Sequence, residues 1–319
     1  MSRSVPSKAK IFDPSSQSNA KQQVSPTPPG DNALGFMLAS VADQYAENAH
    51  YPPWSTPLTP AQAEGYRGNR YEPVSLPLGN NGHFTVTLEQ YRFTRGESIL
   101  VAASIQGPQV VTDRLELSLE NSLTRDTVAS AQLIAKDGDG FYEGSIDSNE
   151  SPGEYRLIVE ANIDGKKVRH VSTLTIEPFL GTFDGLEASY ITNNNLVIPL
   201  RFEPDQPGYY SLSAQLYAGQ QPIALLQAEQ RLDLTTDTID LKAHGTVLVN
   251  RQWKGPMSLR HLQIRQLPAK PGQRTHYAFG PDEGYSFSPP DLDSLRDTPA
   301  SDPESEQRAA LLRQLANKF

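Results

Sequence analysis

Few residues of this 319-residue chain stand at spacings that support chemistry. The six histidines, His50, His83, His170, His244, His261 and His276, are scattered, and no two share the i, i+4 spacing by which one helix face presents a metal pair. Asp137-Gly138-Asp139-Gly140 begins like a calcium loop, but Phe141 and Glu143 follow and no bidentate Glu arrives at the right distance, so it reads as a turn. No Gly-x-Ser-x-Gly elbow offers a serine nucleophile, and GNNG at Gly79–Gly82 reads as a turn rather than a phosphate loop. Asp233 and Asp237 carry too little context for general acid and base roles. With no cysteine, thiolate catalysis, disulfides and Cys-ligated zinc are excluded. The expectation is a non-enzyme with no catalytic residue, metal or cofactor. Aromatic residues in irregular segments, Trp54, Tyr66, Tyr71, Trp253 and Tyr285, are then the candidates for stacking on sugar rings, holding a protein or pinning loops to the body.

The elements that must carry these side chains read as strands. From Gly82 apolar residues alternate with polar ones: Phe84, Val86 and Leu88 open the pattern, followed by runs over Glu97–Ile105, Val111–Asn121, Ala129–Lys136, Phe141–Ile146, Tyr155–Ile163 and Lys166–Ile176. Such spacing predicts an immunoglobulin-like sandwich over residues 82–178. Asp164-Gly165 is the pair that a type I′ hairpin demands, and Tyr155 stands where a tyrosine corner would close. Over residues 179–290 further runs predict a second sandwich: Gly185–Ile191, Leu196–Phe202, Tyr209–Tyr217, Ile223–Gln227, Thr238–Leu241, Thr246–Asn250, Met257–Leu267 and Tyr277–Phe287. Leu259, Leu262 and Ile264 slip once in phase, as at a bulge. The fold class is therefore all-β, two tandem immunoglobulin-like β-sandwiches with flanking helical and disordered arms and a short joint between them.

Four segments of the second unit come in a telling order: Pro207–Tyr210, Leu216-Tyr217, Leu234–Leu241 and Gly255-Pro256 leading to Ile264. With the EGSID turn at Glu143–Asp147 and Pro152-Gly153-Glu154-Tyr155 in the first unit, they resemble tandem immunoglobulin-like modules of functionally uncharacterised bacterial envelope proteins. The resemblance covers roughly residues 82–290, and KAHG at Lys242–Gly245 departs from its usual Gly-rich turn. It implies a periplasmic or cell-surface location and transfers no catalytic residue. No export signal stands at the start of the sequence, so a cytoplasmic location is the alternative.

The arms are of a different composition. Residues 1–31, rich in Ser, Gln, Lys and Pro, predict a disordered tail. A helix over residues 32–50 carries Leu34, Met37, Leu38 and Val41 in one apolar stripe, which packs on its own sandwich or meets a partner. Residues 51–81 form a strap of prolines and aromatics, expected to lie over the first sandwich and bury Trp54 and Tyr71, with a short helix starting at Thr59-Pro60. Beyond residue 290 an acidic stretch leads, through a cap at Asp302, to a C-terminal helix with Leu311, Leu312, Leu315 and Phe319 on one side. A net charge of −9 argues against nucleic acid, and no apolar run reaches the roughly 18 residues of a membrane span. These readings together predict a non-enzymatic binding or scaffold protein whose terminal helices dock onto a protein partner. A carbohydrate-binding or adhesion module working through Trp54 and Trp253 is the alternative.

Overall fold

In a computed structural model, residues 30–79, 81–107, 111–136, 140–249, 253–300 and 303–318 are described, without the side chains of 30–33, 44–49 and 303–306. The expected tail through residue 29, Asp302, Phe319 and most of the Asp137–Gly140 turn lie outside these residues. The chain is mostly β and divides into two compact units. One, Ala46–Pro303, contains every strand; the other contains α1 (Gly30–His50) as far as Tyr45 and α4 (Pro303–Ala316) from Glu304.

The β unit begins with β1 (Ser55–Pro57), α2 (Pro60–Glu64), β2 (Val74–Pro77), β3 (His83–Leu88), β4 (Arg92–Thr94) and β5 (Ser98–Gln106). It continues with β6 (Arg114–Asn121), β7 (Thr127–Lys136), β8 (Phe141–Asp147), β9 (Gly153–Ile163) and β10 (Lys166–Glu177). Nine of these strands make one sheet in the order β2-β3-β5-β8-β7-β6-β9-β10-β4, in which only β10 and β4 run parallel. Strands β7 and β8 share just three residue pairs, Ile134–Lys136 with Phe141–Glu143, and at this corner the sheet turns back on itself. Phe84, Val86, Ile99 and Val101 on one side then bury against Leu115, Leu117, Leu157 and Val159 on the other. The return is closed by side chains. His170 Nε2 of β10 lies 2.7 Å from the Val74 carbonyl of β2, and Tyr71 Oη donates to Ser172 Oγ at 2.6 Å.

A second core follows. It is built by β11 (Gly181–Leu186), β12 (Tyr190–Thr192), β13 (Asn195–Pro204), β14 (Gly208–Ala218), β15 (Gln221–Leu232), β16 (Thr238–His244), α3 (Gly245–Leu248), β17 (Met257–Gln266), β18 (His276–Phe279) and β19 (Tyr285–Phe287). A six-stranded sheet, β1-β15-β14-β17-β18 with β19 also on β17, shares this core with a four-stranded sheet of β11, β12, β13 and β16. Tyr210, Leu212, Ala214 and Leu216 alternate inward on β14, opposite Leu196, Ile198, Leu200 and Phe202 of β13. The alternation of 2.0 residues puts these apolar side chains on one face of each strand.

Three expectations need correction. Residues 246–249 do not start a strand, and Asn250 lies outside the described residues. Thr246–Leu248 enter α3, because the His244 ring accepts from the Thr246 amide and so caps a helical turn that the apolar, largely β-branched run Thr-Val-Leu-Val does not advertise. The run Tyr277–Phe287 is two strands, parted where Gly280 and Pro281 lead into Gly284 at φ 66, a left-handed position that glycine tolerates. The strap is shared between the two cores rather than laid over the first. Its Ser55–Pro57 pairs with Leu226–Ala224 of β15, whereas Tyr71 and β2 join the nine-stranded sheet. The capped turn at Thr59 forms with both bonds of a capping box, and Asp164 and Gly165 adopt φ 49 and 75, as a type I′ hairpin requires.

Both Pro-Gly-x-Tyr segments close in the same way. Tyr155 Oη donates to the Ser151 carbonyl at 2.7 Å, and Tyr210 Oη to the Gln206 carbonyl at 2.8 Å, each four residues back. Burial raises the pKa of both phenols, with Glu150 and Asp205 respectively adding to it, so each stays a donor at neutral pH. Replacing Tyr155 or Tyr210 by Phe is expected to cost about 1 kcal/mol apiece, the net worth of a typical hydrogen bond. Urea denaturation with an unchanged m-value would verify it.

Candidate functional site

The helical unit does not turn its predicted stripe inward. Leu34, Met37 and Val41 are exposed, with Met37 at 62%, and Phe36 is 76% exposed. The covered residues of α1 are Gly35, Leu38, Ala39 and Ala42, which recur at i, i+3, i+4 and i+7 one step around the helix. In α4, Ala309 is buried and Leu312, Leu315 and Ala316 are half-buried, while Leu311 is exposed. Arg313 donates to Asp43 Oδ1 at 3.2 Å and ties the two helices together. Small residues on the covered faces let helices approach closely. Five larger side chains, Leu34, Phe36, Met37, Val41 and Leu311, are left outside.

The two tryptophans are not brought together. Trp54 Nε1 donates to Asn195 Oδ1 at 3.5 Å, and its carbonyl accepts from Gln227 of β15. Trp253 donates to the Pro256 carbonyl at 3.2 Å and lies against Gly219 and Gly255, near the Gln221 end of β15, whereas Trp54 meets the middle of that strand. Six residues of strand separate Gln221 from Gln227, roughly 20 Å at about 3.3 Å per residue. Each ring keeps over a third of its surface open, at 38% and 37%. Asp233 is a turn cap, held below the usual carboxylate range chiefly by hydrogen bonds from the Thr235 hydroxyl and amide, and Asp237 faces Arg201. Neither is placed as an acid or a base. Among the described residues no cluster of His, Asp or Glu is arranged to hold a metal ion, and no helix is long and apolar enough to cross a membrane.

What sequence reasoning missed is the set of side chains bracing the joint between the two cores, which the chain crosses at Pro178–Leu180. Here Glu177, 3% exposed, ends β10. Its Oε1 pairs with Arg92 Nη1 of β4, and its Oε2 lies 3.0 Å from His276 Nδ1 of β18. Arg92 lies between two rings, 5.1 Å from the Tyr91 centroid and 4.4 Å from that of Tyr277. Asn69 bonds both the amide and the carbonyl of Arg92. Nearby, Tyr66 Oη reaches Gln263 Oε1 at 3.4 Å, and its ring meets that of His261, with centroids 5.0 Å apart. Burial raises the Tyr66 pKa, with Tyr91 adding to the rise. The strap segment from Tyr66 to Asn69 thus bonds to both halves and lines a cleft of about 460 Å³. On another side of the joint, Arg274 donates to Glu154 Oε1 at 2.7 Å.

No protein-family model and no curated protein matches the chain. Among solved structures, a DUF4785 family protein of Legionella pneumophila matches at 13% identity and TM-score 0.44, over 58% of this chain and 53% of that one. A trypsin-activated alpha-2-macroglobulin of Escherichia coli matches at 14% identity and TM-score 0.27, over 66% of this chain and 16% of that one. A Salmonella alpha-2-macroglobulin reacted with methylamine matches at 13% and TM-score 0.32, over 66% and 15%. The chain thus spans about half the length of the first and a small part of the others.

Two outcomes follow from the buried charges. Glu177→Gln removes the charge that balances Arg92, whose side chain is 22% exposed, so the cost should be about 2 kcal/mol, below that of a fully buried pair. Urea denaturation reads it, and a change under about 0.5 kcal/mol would mean that the pair does not hold the joint. His244 is buried, and desolvation lowers its pKa, with His50 lowering it further and Asp297 opposing. The unfolded chain then binds a proton more readily than the folded one, so stability is full above the ordinary imidazole pKa of about 6.5 and falls as pH drops from there towards the folded value. Melting curves between pH 7 and pH 5 should show this fall. His244→Asn, which keeps a capping oxygen, should flatten it.

Proposed function

We propose that the chain is a non-enzymatic binding or scaffold protein in which the helical unit engages a protein partner through Leu34, Phe36, Met37, Val41 and Leu311. One observation carries this reading: Leu34, Phe36, Met37 and Val41 of α1 and Leu311 of α4 stand in water, while Gly35, Ala39, Ala42 and Ala309 are covered. Exposed apolar side chains grouped on one small unit are the usual mark of an interaction surface. The occupant is a protein rather than a lipid surface, because α1 contains no Lys or Arg to meet anionic headgroups. Leu38, Leu312 and Leu315 then belong to the support of this surface. A glycan site made jointly by Trp54 and Trp253 is not favoured, since the two rings are anchored far apart.

The β unit serves as a spacer in this reading, as two tandem immunoglobulin-like sandwiches. Support comes from the paired tyrosine closures at Tyr155 and Tyr210, a feature of such folds. A periplasmic or cell-surface location rests on the resemblance of the Pro-Gly-x-Tyr segments to envelope modules, and protease accessibility in intact and osmotically opened host cells tests it.

For the docking surface, the test is affinity purification from the native host with the full chain and with Leu34→Ser, Met37→Ser, Val41→Ser and Leu311→Ser combined. The variant should lose a stoichiometric protein partner while the β unit melts unchanged. A partner set unaffected by the four substitutions would refute the reading.

A further inference from the structure

Among the described residues, five of the six non-glycine residues at positive φ, Asn81, Arg125, Asp164, Asn193 and Asn194, lie in turns between strands. His261 does not. It stands inside β17 at φ 54, where the pairing with β14 slips between Ser213 and Gln215. A bulge re-aims a side chain out of the strand's alternation. Leu259 and Leu262 stay buried on either side, so the core draws nothing from His261 itself. A histidine held in this region costs on the order of 1 kcal/mol. The outcome of the distortion is an imidazole set beside Tyr66 in the joint cleft.

The cleft's volume of about 460 Å³ lies within the range of small-molecule sites. Its buried pair, Arg92 and Glu177, is mutually satisfied, and Asn69 and Gln90 are bonded to each other. In contrast, the side chains of Arg70, Glu89, His261 and Asp282 and the hydroxyl of Tyr277 make no hydrogen bond or ion pair with any described residue. One free cation, two free anions, one imidazole and one phenol therefore face the same space. Partial burial lowers the His261 pKa, with Arg260 and Arg70 adding to the effect against Asp282, so the ring is neutral at pH 7 and can donate or accept.

The balance of these groups selects a ligand class. An anion is repelled by Glu89 and Asp282, and a cation, though drawn to those two carboxylates, leaves the Arg70 guanidinium without an acceptor. A neutral polyhydroxyl molecule uses all five, donating to the carboxylates and accepting from the guanidinium. We propose that the joint cleft is a binding site for a neutral mono- or disaccharide, separate from the helical docking surface.

Saturation-transfer NMR on the full chain tests this with glucose, N-acetylglucosamine, maltose, cellobiose and N,N′-diacetylchitobiose as neutral probes, and with glucuronate and glucosamine as charged ones. At least one neutral sugar should receive transfer. Its affinity should fall roughly tenfold, equivalent to about 1.4 kcal/mol, in the Arg70→Ala/Asp282→Ala variant with an unchanged melting temperature. The four-serine helical variant should bind the sugar as before, so failure of the docking surface and failure of the cleft give different results. Silence from every neutral sugar, binding that survives the double substitution, or transfer confined to a charged probe would each overturn the proposal.

Discussion

A carboxylate almost wholly removed from water sets the terms for the β unit. Glu177 loses its hydration at the joint, and a lone buried charge costs several kcal/mol, so its position persists only with partners in place. Those partners come from three directions. The parallel register of β10 and β4, Thr175 opposite Arg92, brings the guanidinium alongside from within the first core. His276 and Tyr277 come from β18 of the second core, and Asn69 of the strap fixes the Arg92 backbone. Rotation of one core against the other would separate Glu177 from His276 and Arg92 from Tyr277 together. The joint is held by the penalty for leaving those groups unpaired more than by their attraction.

Other charged contacts do not constrain the fold in this way. Glu160 bonds Lys167 and Arg169, and the hydrogen bonds from these two lower its pKa, but both cations are largely exposed and lie on adjacent β10 of the same sheet. Pairs of that kind contribute little to stability and are screened by salt. They decorate a register already fixed by Leu157, Val159 and Ala161 facing inward and by the tight Asp164-Gly165 turn. The distinction is one of solvent. The same residue types decide geometry at the joint and merely follow it on the sheet surface.

Much of the strand pattern was legible because period-two alternation depends on the strand and the one face it buries. The long strands β3 and β5 to β10 follow from it, as do the tyrosine closure at Tyr155 and the slip in β17. Strands β1, β2 and β4 have three or four residues, too few to show a period, and are fixed by neighbours distant in sequence. The face that α1 covers was not legible, because large apolar residues were given weight and Gly35, Ala39 and Ala42 were not. The place and shortness of the joint were legible, but the buried groups that brace it were not. Along β10 the inward positions are His170, Ser172, Leu174 and Ile176, so Glu177 falls on the outward phase and reads as solvated. Its burial comes from a second core covering that outer face, which one strand's alternation cannot report. His261 left one trace, the broken phase between Leu259 and Leu262, and the trace gave the bulge but not what the bulge points at.

The two candidate surfaces rest on opposite physics. At 14 residues the helix α4 is of a length that is marginal in isolation, and of the large apolar residues only Leu38, Leu312 and Leu315 are partly covered, so the pair buries little apolar area. Any protein that covers Leu34, Phe36, Met37, Val41 and Leu311 therefore stabilises the unit as it binds, because it favours the folded pair over separate helices. Such binding is apolar and nearly indifferent to salt. The joint cleft is already braced by Glu177 and Arg92, so a ligand there need not order the protein, and its open groups are charged and partly exposed. Their interactions weaken over a Debye length of about 8 Å at physiological ionic strength. A braced polar cleft suits a small ligand that exchanges quickly, whereas a marginal apolar helix pair suits a partner that stays.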